Sequence, residues 1–87
     1  MKIKEGYLLN ELVGTFVVVA VGKRAKEFNG MINLNETGAF IWHKIEEGLD
    51  VDKIAESMTA EYEVDLDTAK KHTEEFIQKL QNANILE

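Results

Sequence analysis

Along the chain the spacing of apolar side chains changes character near residue 34. Ahead of it lies Thr15-Phe16-Val17-Val18-Val19-Ala20-Val21, a β-branched run of the kind that suits a pleated, half-buried surface. It predicts a central strand, because the same run on an open edge would invite other chains to pair with it. Tyr7 to Val13 predicts the strand before it, although its alternation is imperfect. Gly14 between them makes a tight turn available, so the two segments predict a hairpin. Gly22 to Glu27 is charged and reads as a loop. Phe28 to Leu34 supplies a third strand, but Asn29-Gly30 is a strong turn dipeptide, and a start at Met31 is equally compatible.

Behind residue 34 the period becomes helical. Asn35 is a helix cap, since its side-chain oxygen can accept an orphan amide of the first turn. Ile41, Trp42 and Ile45 follow at helical spacing, with Leu49 beyond them, and Gly48 marks the stop. Asp50 caps a second helix lined by Val51, Ile54, Ala55 and Met58. Asp65 caps a third, whose predicted buried stripe is Leu66, Ala69, Thr73, Phe76, Ile77, Leu80 and Ala83. Tyr62 and Val64 are expected to pack inward from the connection, and Ile85 and Leu86 to tuck back against the sheet. Trp42, the only tryptophan, is the expected centre of the core. Phe40 lies about a third of a turn off that stripe, and is either a lone exposed apolar residue or part of a contact surface. Three strands followed by three helices, the last two joined by a short turn, predict an α+β fold of winged helix-turn-helix type.

Composition narrows the classes of function. Eighty-seven residues make one domain spanning 1–87, and a chain of this size buries only roughly 60–65% of its unfolded surface. There is no cysteine, so thiol chemistry, disulfides and thiolate metal sites drop out. No stretch approaches the roughly 20 apolar residues of a membrane span, and residues 1–5 lack an apolar signal region. No membrane partner is expected, and the cytoplasm is the default location. The net charge of −6 is divided unevenly: residues 1–34 carry five basic and three acidic side chains, residues 35–87 five and thirteen. An acidic helical half would be repelled by phosphate backbones, so no nucleic acid is expected as a partner. Such charge either solubilises the surface or matches a basic peptide or enzyme face.

Candidates for chemistry are few. His43 and His72 are the only histidines, and Ser57 is the only serine, with no base at a useful spacing. His72 and Glu75 share a helix face, but metal sites need three or four ligands. Asp65-Leu66-Asp67 opens like a calcium loop, yet Ala69 and Lys70 stand where the next ligand and the glycine belong. Gly22-Lys23 lacks the glycine five positions earlier that a phosphate loop needs; Val17 is there. No catalytic residue, no metal and no cofactor is therefore assigned.

The stretch Leu34-Asn35-Glu36-Thr37-Gly38-Ala39-Phe40-Ile41-Trp42, with Gly48 six residues on, resembles the signature of the PqqD family. These are small peptide chaperones first named from pyrroloquinoline quinone biosynthesis, and the same fold serves as the precursor-peptide recognition element in ribosomal-peptide modification pathways. Length, strand-then-helix order and the closing Asn84-Ile85-Leu86 fit as well. The resemblance implies the winged-helix fold and a non-catalytic role: holding a precursor's leader segment between the third strand and the third helix, and presenting it to a modifying enzyme such as a radical-SAM maturase. It implies Phe28, Asn29, Gly30, Met31, Ile32 and Asn33 as the strand wall. On helical rows alone, His72, Glu75, Phe76 and Lys79 are the expected opposite wall. The charged connection at Gly22–Glu27 and Trp42 set the chain apart from the shorter quinone-pathway members. They point to a PqqD-like protein of a modified-peptide cluster, as a monomer or homodimer. The alternative function is a winged-helix DNA-binding regulator, with Lys23, Arg24 and Lys26 as a basic wing.

The strand-wall reading rests on edge pairing. An unpaired sheet edge offers amides and carbonyls to any extended chain. If residues 31–34 are such an edge, proline at Met31 or Ile32 removes a donor and abolishes binding.

Overall fold

The computed structural model describes residues 1–27 and 30–87. The chain runs β1 (Tyr7–Leu12), β2 (Thr15–Ala20), α1 (Arg24–Glu27), β3 (Ile32–Leu34), α2 (Glu36–Glu46), α3 (Val51–Glu61) and α4 (Leu66–Asn82). The three strands form one antiparallel sheet in the order β1-β2-β3, with the β-branched run in the middle. Val13 (φ 46°) and Gly14 (φ 78°) make the two-residue turn between β1 and β2. Two consecutive positive φ values define the mirror-image turn whose twist suits a hairpin. Glycine adopts it freely, but valine pays about 1–2 kcal/mol because its Cβ crowds the following carbonyl. Val13 is also fully exposed, so nothing is recovered by packing. Val13→Asn should therefore stabilise the protein by about 1 kcal/mol and raise the melting temperature by about 4–8 °C. Thermal melts of the two proteins decide it, and an unchanged or lower midpoint contradicts the turn assignment.

The segment expected to be a charged loop contains a helical turn, α1. Gly22 turns the chain, and Arg24, Ala25 and Lys26 amides then donate to the carbonyls of Val21, Gly22 and Lys23 at 3.2 Å each. Arg24 Nε donates to the Glu5 carbonyl at 3.0 Å, tying the turn to the start of the chain. Four residues are little more than one turn, too few for periodicity to reveal. The third strand is also shorter than expected. It begins at Ile32, with Gly30 and Met31 exposed ahead of it, while Phe28 and Asn29 lie outside the described residues.

Each long helix is capped as its sequence requires. Asn35 Oδ1 accepts the Gly38 amide at 2.7 Å, Asp50 Oδ1 the Lys53 amide at 2.9 Å, and Asp65 Oδ1 the Thr68 amide at 2.7 Å. Gly48 (φ 89°) ends α2: its amide donates to Ile45 at 2.9 Å, and that of Leu49 reaches back to Lys44 at 3.1 Å. That pair of bonds is the left-handed closure which glycine makes at least steric cost. At the end of α4, Asn84 (φ 60°) occupies the equivalent position and sends Ile85 back into the core.

Hydrogen bonds from the Thr68 amide and then from its side-chain hydroxyl favour the ionised form of Asp65 and hold its carboxyl below the ordinary 3.8. A carboxyl whose folded value is lowered contributes stability above its unfolded value and loses it as the pH falls through the folded one. Acid should thus loosen the start of α4 below about pH 4. A carbon-13 titration of Asp65 checks this: a midpoint at or above 3.8 contradicts the cap.

Trp42, Ile41, Ile54, Met58, Leu80, Ile85 and Val18 are all buried to within 1%. Thr73 is buried among them because its hydroxyl donates to the Ala69 carbonyl at 2.8 Å and lies 3.3 Å from Met58 Sδ, so its polar atom is satisfied. Leu66 departs from the predicted stripe: at the first residue of α4 it lies past the packed region and is 43% exposed. Phe40 is half-buried rather than free: it packs edge-on to Tyr62 with ring centres 5.4 Å apart, and Lys44 Nζ sits 5.2 Å over its ring. Ile85 and Leu86 are buried as expected, but they pair with the chain start, Leu86 opposite Ile3, rather than with one of the three strands. No helix among the described residues is long and apolar enough to cross a membrane.

Candidate functional site

β3 is the last strand of the sheet. Its inner neighbour is β2, in the register Phe16↔Leu34, Val17↔Asn33 and Val18↔Ile32. Among the described residues no strand pairs with its other side. Which groups face that open side follows from the hairpin. A two-residue turn makes Leu12 and Thr15 a hydrogen-bonded pair, and such pairs alternate along an antiparallel ladder. Asn10 and Val17 are then bonded to each other, so the main-chain groups of Phe16 and Val18 point to β3. Leu34 and Ile32 are spent on those partners. Asn33 therefore turns its N–H and C=O outward, to the open edge.

Beside that edge lies a cleft of about 580 Å³. Asn33 and Leu34 form its strand wall, and His72, Glu75, Phe76 and Lys79 of α4 stand opposite. The i, i+3, i+4 and i+7 row read from the sequence thus lies along one side of one cleft. Phe76 is 9% exposed, and it and Ile41 give the floor an apolar character; His72, Glu75 and Lys79 are exposed on the rim. Of the remaining residues expected in the strand wall, Ile32 is half-buried and pairs with Val18. Gly30 and Met31 precede β3, and neither lines the cleft. Phe28 and Asn29 fall outside the described residues.

The cleft has a third side that helical rows do not reveal. The first turn of α2 contributes Asn35, Thr37 and Gly38. Asn35 and Ile41 are legible in sequence only as cap and core. A signal did exist: glycine inside a helix costs about 1 kcal/mol relative to alanine, so Gly38 in a first turn marks a place where something comes close.

The surface of α4 does not supply a duplex-binding helix. Asp67, Lys70, Lys71, Glu74, Glu75 and Lys79 alternate in sign, and Lys70 is drawn 3.4 Å from Asp52 of α3. Phosphate binding needs a continuous basic face.

The pattern describing coenzyme PQQ synthesis protein D (PqqD) matches residues 8–86. None of the curated proteins matches. Among solved structures, the chain is similar to TbiB1, determined in complex with the TbiA(beta) leader peptide. The TM-score is 0.82 at 26% identity, covering 100% of this chain and 95% of that one. It also shares the fold of a lasso peptide synthetase B1 complexed with the leader peptide, with a TM-score of 0.78 at 20% identity over 98% and 93% of the two chains.

Proposed function

Since the chain belongs to the PqqD family, we propose that it captures the leader segment of a ribosomally made precursor peptide and presents it to the enzyme that modifies it. The observation that carries this reading is the outer edge of β3, unpaired among the described residues and opening beside the cleft faced by α4. The likeness to a protein solved with a leader peptide, across the whole chain, supports it.

The guest adds as a fourth strand on β3. Its central bonds are to Asn33, whose N–H donates to a guest carbonyl and whose C=O accepts a guest amide. Side chains alternate across a strand, so the guest residue opposite Asn33 points away from the cleft, while the one opposite Leu34 points in, over Phe76 and Ile41. Main-chain pairing provides affinity for any extended chain, and that inward position provides selectivity for an apolar side chain. Lys79, Glu75 and His72 on the rim contact polar guest residues on either side. The protein contributes recognition, and the reaction belongs to the partner, a radical-SAM maturase or a similar enzyme.

The test is a titration of the synthetic leader, from the precursor encoded beside this chain's gene, into isotope-labelled protein. Saturable shifts at Asn33, Leu34 and the His72–Lys79 face are expected. Shifts confined to α3 and the far end of α2, with β3 silent, contradict the reading.

A further inference from the structure

Gly38 stands where α2, α4 and β3 meet. Its amide already donates to the capping oxygen, Asn35 Oδ1, at 2.7 Å. A Cβ placed on it would lie 3.1 Å from Asn35 Oδ1, 3.1 Å from Phe76 Cε1 and 3.5 Å from Leu34 Cβ. The first two are tighter than ordinary van der Waals contact, so a neighbour would have to give way. Asn35 Oδ1 is held by the capping bond, and Leu34 Cβ is fixed to the strand ladder. The Phe76 ring is the part able to move, and that ring is the floor of the cleft.

We propose that Gly38 is a positioning residue for the guest: by having no side chain it seats the Phe76 ring against the first turn of α2, and so fixes the depth and shape of the cleft that receives the inward guest side chain. This rests on the peptide-capture reading above. It adds that a position without any side chain, on an element outside the two expected walls, governs what the cleft accepts. Alanine is the better helix former, so propensity alone makes Gly38→Ala neutral or helpful; the effect on binding comes from the ring.

A double-substitution cycle separates the two. Leucine at 76 has no Cε1, so Phe76→Leu removes the atom that an alanine at 38 would press on. Four proteins are compared: unsubstituted, Gly38→Ala, Phe76→Leu and the pair. The first readout is the Phe76 ring resonances of the free protein; the second is affinity for the fluorescein-labelled synthetic leader. Gly38→Ala should shift the ring resonances and weaken binding about tenfold, with Trp42 fluorescence unchanged. In the Phe76→Leu background the same alanine should change affinity less than threefold. Equal losses in both backgrounds overturn the proposal, as does a normal affinity for Gly38→Ala. Should Gly38→Ala alone fail to fold, Phe76→Leu against the pair decides: similar affinities support the proposal, a further loss overturns it. Absence of binding by the unsubstituted protein overturns the peptide-capture reading itself, an outcome distinct from all of these.

Discussion

Replacing Trp42 by alanine should leave a protein that unfolds at a much lower temperature. Trp42 is fully buried, with Ile41 and Ile45 of the same helix beside it in the core. Removing a buried tryptophan side chain costs about 3–5 kcal/mol, because the apolar transfer energy is lost and the surroundings collapse only in part. Total stability is only about 0.05–0.15 kcal/mol per residue, so this one change removes much of it. The melting temperature should fall by at least about 15 °C. Trp42→Phe should cost less, for two reasons: it keeps most of the apolar volume, and it deletes the indole Nε1, a buried donor with no hydrogen-bond partner among the described residues. Such an unpaired donor carries a penalty of about 1–3 kcal/mol, which offsets part of the lost packing. Calorimetry of both variants tests this, and a midpoint for Trp42→Ala within a few degrees of the parent refutes the central placement of the ring.

The second large effect is on binding. Asn33→Pro should weaken the leader peptide at least tenfold while leaving the fold in place. Proline has no N–H, and its ring fills the space where that N–H would meet the guest. The sheet is spared, because the bonds to β2 come from Ile32 and Leu34, and proline is tolerated on an edge strand when its nitrogen faces outward. The residue before proline is pushed toward extended backbone, which Ile32 already has as part of β3. Ile32→Pro is a different experiment. Its amide is directed at Val18, so that substitution breaks the sheet itself and says little about the guest. Far-UV circular dichroism together with a binding isotherm separates the two. Native dichroism with unimpaired binding in Asn33→Pro contradicts strand addition.

That distinction shows what the sequence conveys and what it does not. The caps at Asn35, Asp50 and Asp65 and the stop at Gly48 were legible because each depends on one side chain and the three or four residues after it. The order of sheet and long helices was legible for a similar reason, since a change of period persists over many residues. The direction of the Ile32 and Asn33 amides was not. It is set by the register of β3 on β2 together with the choice of β2 groups that face β3, which the turn at Val13-Gly14 some twenty residues earlier decides. α1 is shorter than any detectable period, and the exposure of Leu66 arises because packing stops before the helix does. One wall of the cleft, the His72–Lys79 row, followed from helical spacing. The wall made by Thr37 and Gly38 did not, because it exists only once α2 is laid across β3 and α4.

The proposed capture of a leader peptide turns on the outward N–H of Asn33. Amide hydrogen exchange, followed residue by residue with and without saturating leader peptide, reads that group directly. Exchange at Asn33 should be fast in the free protein and slow markedly in the complex, while Ile32 and Leu34, already bonded to β2, change far less. Saturated binding that leaves Asn33 exchanging at its free rate would show that the peptide sits elsewhere.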